Sequence, residues 1–208
     1  MNNSTEQTAL ADRIWWTSRA RIYAEKRHLS NHFHSQLILL YYSFLSTSVA
    51  IYYLKFNTAS DIANVSWVIF SLLTMIASIF ISTLRYRERA ESIKQCYEKL
   101  ISLSHIARTM VDSNQLERVR IEYESVRSLC ENHTTFDFDA AVVVEYFRCT
   151  PTKRSALTIQ PTLVSIINFI LKNLVKMIAL LAIYSLPICI LLILSSCDSA
   201  NTCIAASL

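Results

Sequence analysis

The sequence predicts an all-α membrane protein: a two-helix transmembrane hairpin, a cytoplasmic helical body and a third, C-terminal transmembrane helix. The 208-residue chain contains no glycine and only three prolines, so long stretches lack the residues that end helices. Hydrophobic residues make up 52% of it, a high fraction for a soluble domain. Many of them fall in three uncharged runs, each about as long as a membrane-spanning helix (~20 residues).

Composition also argues against several functions. Nucleotide-dependent enzymes need glycine-rich loops for close backbone approach, and this chain has no glycine. The six cysteines form no CxxC pair and have no histidine at zinc spacing, so we expect no metal site and interpret most of them as free thiols. The 16 acidic residues are scattered among the 20 basic ones, unlike the basic face of a nucleic-acid binder. We expect no enzyme and no cofactor, and the charge distribution does not favour direct nucleic-acid binding but leaves it open.

The first element is a basic, tryptophan-containing helix. Residues 15–29 read WWTSRARIYAEKRHL and precede the first apolar run. Tryptophan favours the headgroup region, and basic residues suit an anionic cytoplasmic leaflet, so one interpretation is a helix on the membrane that leads into the first span. The alternative is a cytosolic helix packed on its neighbours. A cleavable signal peptide fits poorly, because the first apolar run begins only at Leu37.

The three apolar runs are the predicted spans. They are residues 37–54 (LILLYYSFLSTSVAIYYL), 65–84 (VSWVIFSLLTMIASIFISTL) and 177–196 (MIALLAIYSLPICILLILSS). Buried core helices of a soluble protein are the alternative, but so short a chain leaves too little polar surface to cover them. One long helix is expected over 163–196, with Pro187 as a kink. At ~1.5 Å per residue it is ~51 Å long, so its first part lies outside the ~30 Å hydrocarbon core.

Lysine and arginine predict the orientation. Basic residues are dense before the first span and after the second, whereas residues 55–64 contain Lys55 alone and residues 197–208 contain none. By the positive-inside rule the N-terminus is cytoplasmic and the C-terminus outside. Cys197 and Cys203 then face an oxidising compartment. Two interpretations stay open for them: a small disulfide loop or two free thiols.

The predicted segments are a cytoplasmic N-terminal helix (1–36), the transmembrane hairpin (37–84), a cytoplasmic helical domain (85–162), a juxtamembrane helix with the third span (163–196) and an external tail (197–208).

The cytoplasmic segment has the periodicity of a helix pair. Apolar residues recur at spacings of three and four on both sides of a break at 112–114, which predicts two amphipathic helices. We expect these seams to pack on each other and on the N-terminal helix; contact between subunits is the alternative. The seam residues are Ile93, Cys96, Leu100, Leu103, Ala107 and Met110 in the first helix, and Leu116, Val119, Tyr123, Val126 and Cys130 in the second.

Two later stretches are polar. ENHTTFDFD (131–139) contains His133, Asp137 and Asp139 but has no paired nucleophile and no known hydrolytic spacing, so we expect no catalysis there. Asn132 and Thr134 are instead candidate caps of a helix that begins near Phe136. RCTPTKRS (148–155) has no apolar period and is interpreted as an exposed linker.

Hydroxyl side chains mark one face of each hairpin span. Two interpretations stay open: such a face can line a water-filled path in an oligomer, or let helices pack closely and hydrogen-bond. The spans contain no charged residue, which argues against a proton relay, a voltage sensor or an ion-coupled transporter. The candidate pore-lining or packing residues are Ser43, Thr47, Ser71, Thr74, Ser78 and Ser82.

Three stretches together resemble a known family. ARIYAEKRHL, RYRERAESIKQCYEKLISL and EYESVRSLCENHTTFDFDAAV, spread over residues 15–141, are similar to the SLATT domain, the SMODS and SLOG-associating two-transmembrane effector domain. The third span departs from its two-span pattern and leaves open whether two or three helices per subunit build a pore. Candidate family-motif or partner-contact residues are Arg21, Arg27, Arg89, Tyr97, Asn132, His133 and Asp137.

The resemblance implies an effector of antiviral defence (abortive infection) in the bacterial inner (cell) membrane. Such a protein is expected to form a homo-oligomer in the lipid bilayer and to permeabilise or depolarise it when signalled. The signal would come from a sensor protein such as a nucleotidyltransferase or a defence-associated reverse transcriptase. Two alternatives stay open: a non-conducting anchor or adaptor that holds a cytoplasmic partner, and a constitutive channel or transporter subunit.

Overall fold

The computed structural model describes residues 3–56, 61–110, 113–155 and 157–205. Over these ranges the chain is helical and has no strand, which confirms the predicted all-α class. The helices are α1 (Asn3–Phe56), α2 (Asp61–Thr83), α3 (Tyr86–Thr109), α4 (Ser113–Leu129), α5 (Thr135–Arg148), α6 (Pro151–Arg154) and α7 (Leu163–Ala205).

α1 and α7 are each longer than a span. α1 joins the N-terminal segment and the first predicted span in one 54-residue helix, because no glycine or proline between its ends breaks it. α7 begins at Leu163, as predicted, and runs for 43 residues through Pro187. It continues past residue 196, where the third predicted span ends. The side chains of Cys197 and Cys203 lie outside the described residues, and so does the disulfide loop considered for them.

The chain divides into two compact units. We call Met1–His32 with Tyr86–Asn173 the helical body, and Phe33–Arg85 with Leu174–Leu208 the apolar unit. The core of the helical body is formed by α1, α3 and α4, which confirms that the two predicted seams pack on each other and on the N-terminal helix. Its buried residues are Leu10, Ala11 and Ile14 from α1, Cys96, Leu100, Leu103 and Ala107 from α3, and Leu116, Val119, Tyr123 and Val126 from α4.

The tryptophan-containing stretch of α1 is part of this body. Trp16 is 3% exposed, Arg21 0% and His28 1%. Trp16 also donates through Nε1 to Oγ1 of Thr158, at 2.9 Å. These side chains point into the fold, so the structure supports the interpretation of residues 15–29 as a helix packed on its neighbours.

Cys96 and Cys130 are bonded as a disulfide that joins α3 to the residue after Leu129, the end of α4. The free-thiol interpretation is therefore wrong for this pair, whereas Cys149 and Cys189 are free. Both bonded cysteines belong to the predicted seams. The two cysteines meet because the seams of α3 and α4 pack on each other. The sequence spacing predicted the seams but not which cysteines would be bonded.

The two polar stretches of the sequence lie at the ends of α5. Thr134 caps α5 as predicted: its hydroxyl accepts from the Asp137 amide, and the Asp137 carboxylate accepts from the Thr134 amide. The linker interpretation of residues 148–155 is incomplete, because residues 151–154 form the short α6. Pro151 stands at its first position, where its missing N–H costs nothing.

The apolar unit has a small core and a large apolar surface. Val49, Trp67 and Phe70 are buried together, whereas large apolar side chains such as Phe44 (71% exposed) and Leu181 (72% exposed) face outward. Three helical stretches, within Thr5–Tyr53, Val65–Thr109 and Leu163–Leu194, are long and apolar enough to cross a membrane. An outward apolar surface of this extent is stable in lipid, so the chain is a membrane protein with three candidate spans.

Candidate functional site

The hydroxyl face of the first span lies in α1. Ser43 donates to the Leu39 carbonyl at 2.8 Å, and Thr47 donates to the Ser43 carbonyl at 2.8 Å. Both residues are exposed, whereas Ser46 on the same helix is buried. Each hydroxyl proton is thus used within its own helix, and the oxygen lone pairs remain available as acceptors.

On the second span, two of the four candidate hydroxyls also donate within their own helix. Thr74 donates to the Phe70 carbonyl at 2.9 Å, and Ser82 donates to the Ile79 carbonyl at 2.7 Å. Ser71, Ser78 and Ser82 are exposed, and Thr74 is half-buried. The candidate residues therefore lie mostly on the outer surface of a single chain, where another molecule or water can reach them.

A hydrogen bond between helices compensates for the proline in α7. Pro187 has no N–H, so the carbonyl four residues earlier, at Ile183, loses its helical donor. The Tyr42 hydroxyl of α1 donates to this oxygen at 2.6 Å. Tyr42 also lies against Phe70 of α2, with ring centres 5.3 Å apart. One side chain thus links the three helices of the apolar unit. Sequence reasoning missed Tyr42, although the orphaned carbonyl behind Pro187 was foreseeable.

In the helical body, the family-motif residues form an internal polar network around Asp137. Asp137 is 1% exposed and accepts from Arg27 Nε at 2.9 Å and Arg27 Nη2 at 3.1 Å. It also accepts from the amide and hydroxyl of Thr134, at 2.9 and 2.8 Å. Burial by itself raises the pKa of Asp137, but the hydrogen bonds from Arg27 and Thr134 outweigh it and lower this pKa. The buried carboxylate is therefore charged and fully paired.

Arg21 holds the end of α4. It is fully buried, and its guanidinium donates to the carbonyls of Arg127 at 3.0 Å and Val126 at 3.5 Å. The last carbonyls of a helix lack intrahelical donors and lie at the negative end of the helix dipole. The buried guanidinium donates hydrogen bonds to these carbonyls and places a positive charge beside them.

Arg89 and His28 meet at Glu131. Arg89 forms a bidentate pair with Glu131, at 2.8 and 2.5 Å, and this bond lowers the pKa of Glu131. His28 Nε2 lies 3.9 Å from Glu131 Oε2, and neither ring nitrogen has a hydrogen-bond partner among the described residues. Burial, with Arg27 and Arg89 nearby, lowers the pKa of His28, so its ring is neutral near pH 7.

The remaining candidates are placed differently. Tyr97 donates to Glu25, and burial together with this carboxylate raises the pKa of Tyr97 to about 12. His133 is half-buried and stacked on Phe138 with ring centres 6.1 Å apart, and burial lowers its pKa. Asn132 is exposed. The network ties α1 to α3, α4 and α5. Contact of these residues with a partner stays a prediction.

Across the described side chains, no group of three His, Cys, Asp or Glu is placed to hold a metal ion.

Comparison with known proteins identifies the family. No curated protein and no solved structure matches this chain. One family model, described as the SMODS and SLOG-associating 2TM effector domain family 5, matches residues 3–194. The match extends beyond the resembling stretches at 15–141 and includes most of the third apolar helix. It also implies a membrane-associated effector of defence systems. The chain belongs to the SMODS and SLOG-associating 2TM effector domain family 5.

Proposed function

We propose that this chain is the membrane effector of a bacterial abortive-infection system. Copies of it assemble in the cell membrane and depolarise or permeabilise that membrane when a partner signals infection. Membership of the effector family supports the defence role. The observation that supports the conducting role is the exposure of hydroxyl side chains on otherwise apolar helices.

Assembly of several copies is favoured because the exposed hydroxyl oxygens have no hydrogen-bond donor in lipid. In an isolated chain, the exposed Ser43, Thr47, Ser71 and Ser78 face lipid, which offers no donor to their oxygens. A file of water molecules supplies such donors, and a second copy supplies one wherever a hydroxyl turns from its own helix carbonyl to the neighbouring helix, so association of the hydroxyl faces is favoured over lipid contact. The same surface serves packing while the assembly is closed and borders water when it opens.

The conduit is passive and the protein acts without catalysis. The apolar runs 37–54, 65–84 and 177–196 contain no charged residue, so no group is present there to relay protons or to couple transport to an ion gradient. A path lined by hydroxyl groups lets ions follow their gradients, which is sufficient to collapse a membrane potential.

The orientation follows the distribution of basic residues. The segments before residue 37 and after residue 84 are rich in lysine and arginine and lie in the cytoplasm, while the C-terminal tail lies outside the inner membrane. The helical body then faces the compartment where infection is sensed. Its partner is a cytoplasmic sensor, of the kind represented by a nucleotidyltransferase or a defence-associated reverse transcriptase.

The test is membrane potential in cells that express the chain. A voltage-sensitive dye and propidium entry are followed with the chain alone and with the protein encoded beside it. We expect depolarisation in wild type, loss of it in Ser78→Leu, and retention in the matched control Ile79→Leu, where an exposed apolar residue replaces another. Immunoblotting of membranes checks that the variants accumulate equally. An intact potential in wild type under both conditions, or equal depolarisation in Ser78→Leu, contradicts the proposal.

An adaptor without conduction is the second candidate. Two large apolar residues on α4, Ile121 (62% exposed) and Leu129 (68% exposed), face outward on the helical body. Contact with a protein partner would remove both apolar side chains from water. An adaptor predicts partner capture with an intact membrane potential, and substitution of Ile121 by Lys then abolishes capture, whereas Ser78→Leu does not.

A further inference from the structure

The helical body contains a cavity, and its lining includes Trp16, Thr158, His133 and Phe138, whose contacts are described above. Its volume is about 590 Å³, within the usual size of small-molecule sites, ~300–1,000 Å³. The first turns of α1 line one side, the start of α5 another, and residues 158 and 159 a third. Three sequence-distant segments thus converge on it, all within the helical body.

One wall of the cavity is aromatic. His133 and Phe138 are stacked at 27° between their planes, and Trp16 follows at 6.3 Å between its ring centre and that of Phe138. Burial lowers the pKa of His133, so its ring is neutral near pH 7 and stacks as an uncharged aromatic. Faces of this kind bind flat rings, because stacking is favourable and tolerates many ring types.

The rim of the cavity is polar and bears both signs of charge. Asp12 Oδ2 accepts from the Thr158 hydroxyl at 2.5 Å, and that hydroxyl in turn accepts from Trp16 Nε1 at 2.9 Å. Asp12 is half-exposed, and its carboxylate can accept from ring or amino N–H groups of a ligand. Arg13 is exposed beside it, with its guanidinium 5.8 Å from the Tyr123 ring centre, and offers charged donors to an anion.

We propose that this cavity binds a nucleotide, with its base against Phe138 and His133 and its phosphate at Arg13. The aromatic wall, the acceptor at Asp12 and the cation at Arg13 match the flat ring, the N–H groups and the anion of such a ligand. The chain has no glycine-rich loop to hold phosphate by its backbone, so recognition here is by side chains. Binding does not depend on the proposed conducting role.

Calorimetric titration of the full chain in detergent tests this proposal. The ligands are AMP, GMP, CMP and UMP, with the uncharged nucleosides as comparison. We expect at least one nucleotide to bind, with about tenfold weaker binding of its nucleoside and about tenfold weaker binding to Arg13→Gln, since a charged hydrogen bond is lost in both. Phe138→Leu, which keeps an apolar side chain but removes the flat face, is expected to weaken binding about tenfold as well.

Arg118→Gln is the matched control, because Arg118 is an exposed arginine of α4 outside the cavity lining. Its affinity should equal that of wild type. Unchanged circular dichroism shows that each variant is folded. No heat with any of the nucleotides overturns the proposal, and so does equal affinity in Arg13→Gln and wild type. Because the readout is binding to purified protein, its failure is separate from failure of the depolarisation experiment.

Discussion

Replacing Asp137 with alanine should locally unfold the start of α5. Asp137 is 1% exposed and accepts two hydrogen bonds from Arg27 and two from Thr134, so the change removes an ion pair and a helix cap together. Breaking a buried pair by removing one partner costs ~3–5 kcal/mol, and loss of a cap costs ~0.5–2 kcal/mol. The two terms overlap because they share one carboxylate. Arg27 also stays 27% exposed and can partly rehydrate, so we expect about 3 kcal/mol.

Amide hydrogen exchange measured by mass spectrometry is the appropriate assay. A loss of about 3 kcal/mol corresponds to an increase of ~150-fold in the opening of α5, at 1.36 kcal/mol for each tenfold change. The increase should be confined to peptides covering residues 131–148. Asp139→Ala is the control, because it removes a carboxylate from the same helix turn without touching the Arg27 pair. Equal exchange in the Asp137 and Asp139 variants would refute the reasoning that the buried carboxylate organises this segment.

Three further predictions concern other parts of the chain. The pKa values of His28 and His133 are lower in the fold than in the unfolded chain, so the unfolded state binds more protons and stability falls as pH drops below ~6.5. A double change of these histidines to Asn should flatten that dependence in denaturant titrations at pH 5 and 8, and an unchanged slope contradicts it. Tyr42→Phe should lower the detergent Tm, since it leaves the Ile183 carbonyl without a donor on an apolar, detergent-covered helix, at ~1–3 kcal/mol. It should cost nothing in a Pro187→Ala background, where the restored N–H satisfies that carbonyl, and a full cost there would refute the compensation. Cys96→Ser should lower the Tm of oxidised protein, because opening a loop with a sequence separation of 34 costs up to ~4 kcal/mol of stability in the chain-entropy account, and should leave reduced protein nearly unchanged. Equal melting of oxidised wild type and variant would show that the disulfide does not stabilise the fold.

Local periodicity was sufficient to predict α3 and α4 and the core that they share in the helical body. Leu100 and Val119, for example, were assigned to seams from spacing alone, and both are buried in the shared core. This succeeds because the spacing of apolar residues fixes which face of a helix avoids water. The Thr134 cap was also predictable, because its partners lie within one turn of the chain.

Pairings over long sequence distances could not be predicted in this way. Arg27 and Asp137 are 110 positions apart, and Tyr42 and Ile183 are 141 apart. Their meeting depends on how the helices pack, and many basic and acidic residues would be equally good partners by sequence. Arg21 shows the same limit: its type suggested a lipid-facing cation, but the unsatisfied carbonyls at the end of α4 draw it into the interior.

The basic residues of α1 therefore support two arguments of different strength. Arg21 and Arg27 bind groups inside the helical body, and Arg19 lies 3.6 Å from Glu145, so the folded chain offers fewer cations to an anionic leaflet than the sequence suggests. Attraction of the folded body to lipid headgroups is weakened accordingly. The positive-inside rule acts while segments are inserted, before these partners have formed, and counts every lysine and arginine near a span. Internal pairing of these arginines therefore leaves the proposed orientation unchanged. Any contact of the folded body with lipid headgroups then depends on exposed cations such as Arg13 and Lys26.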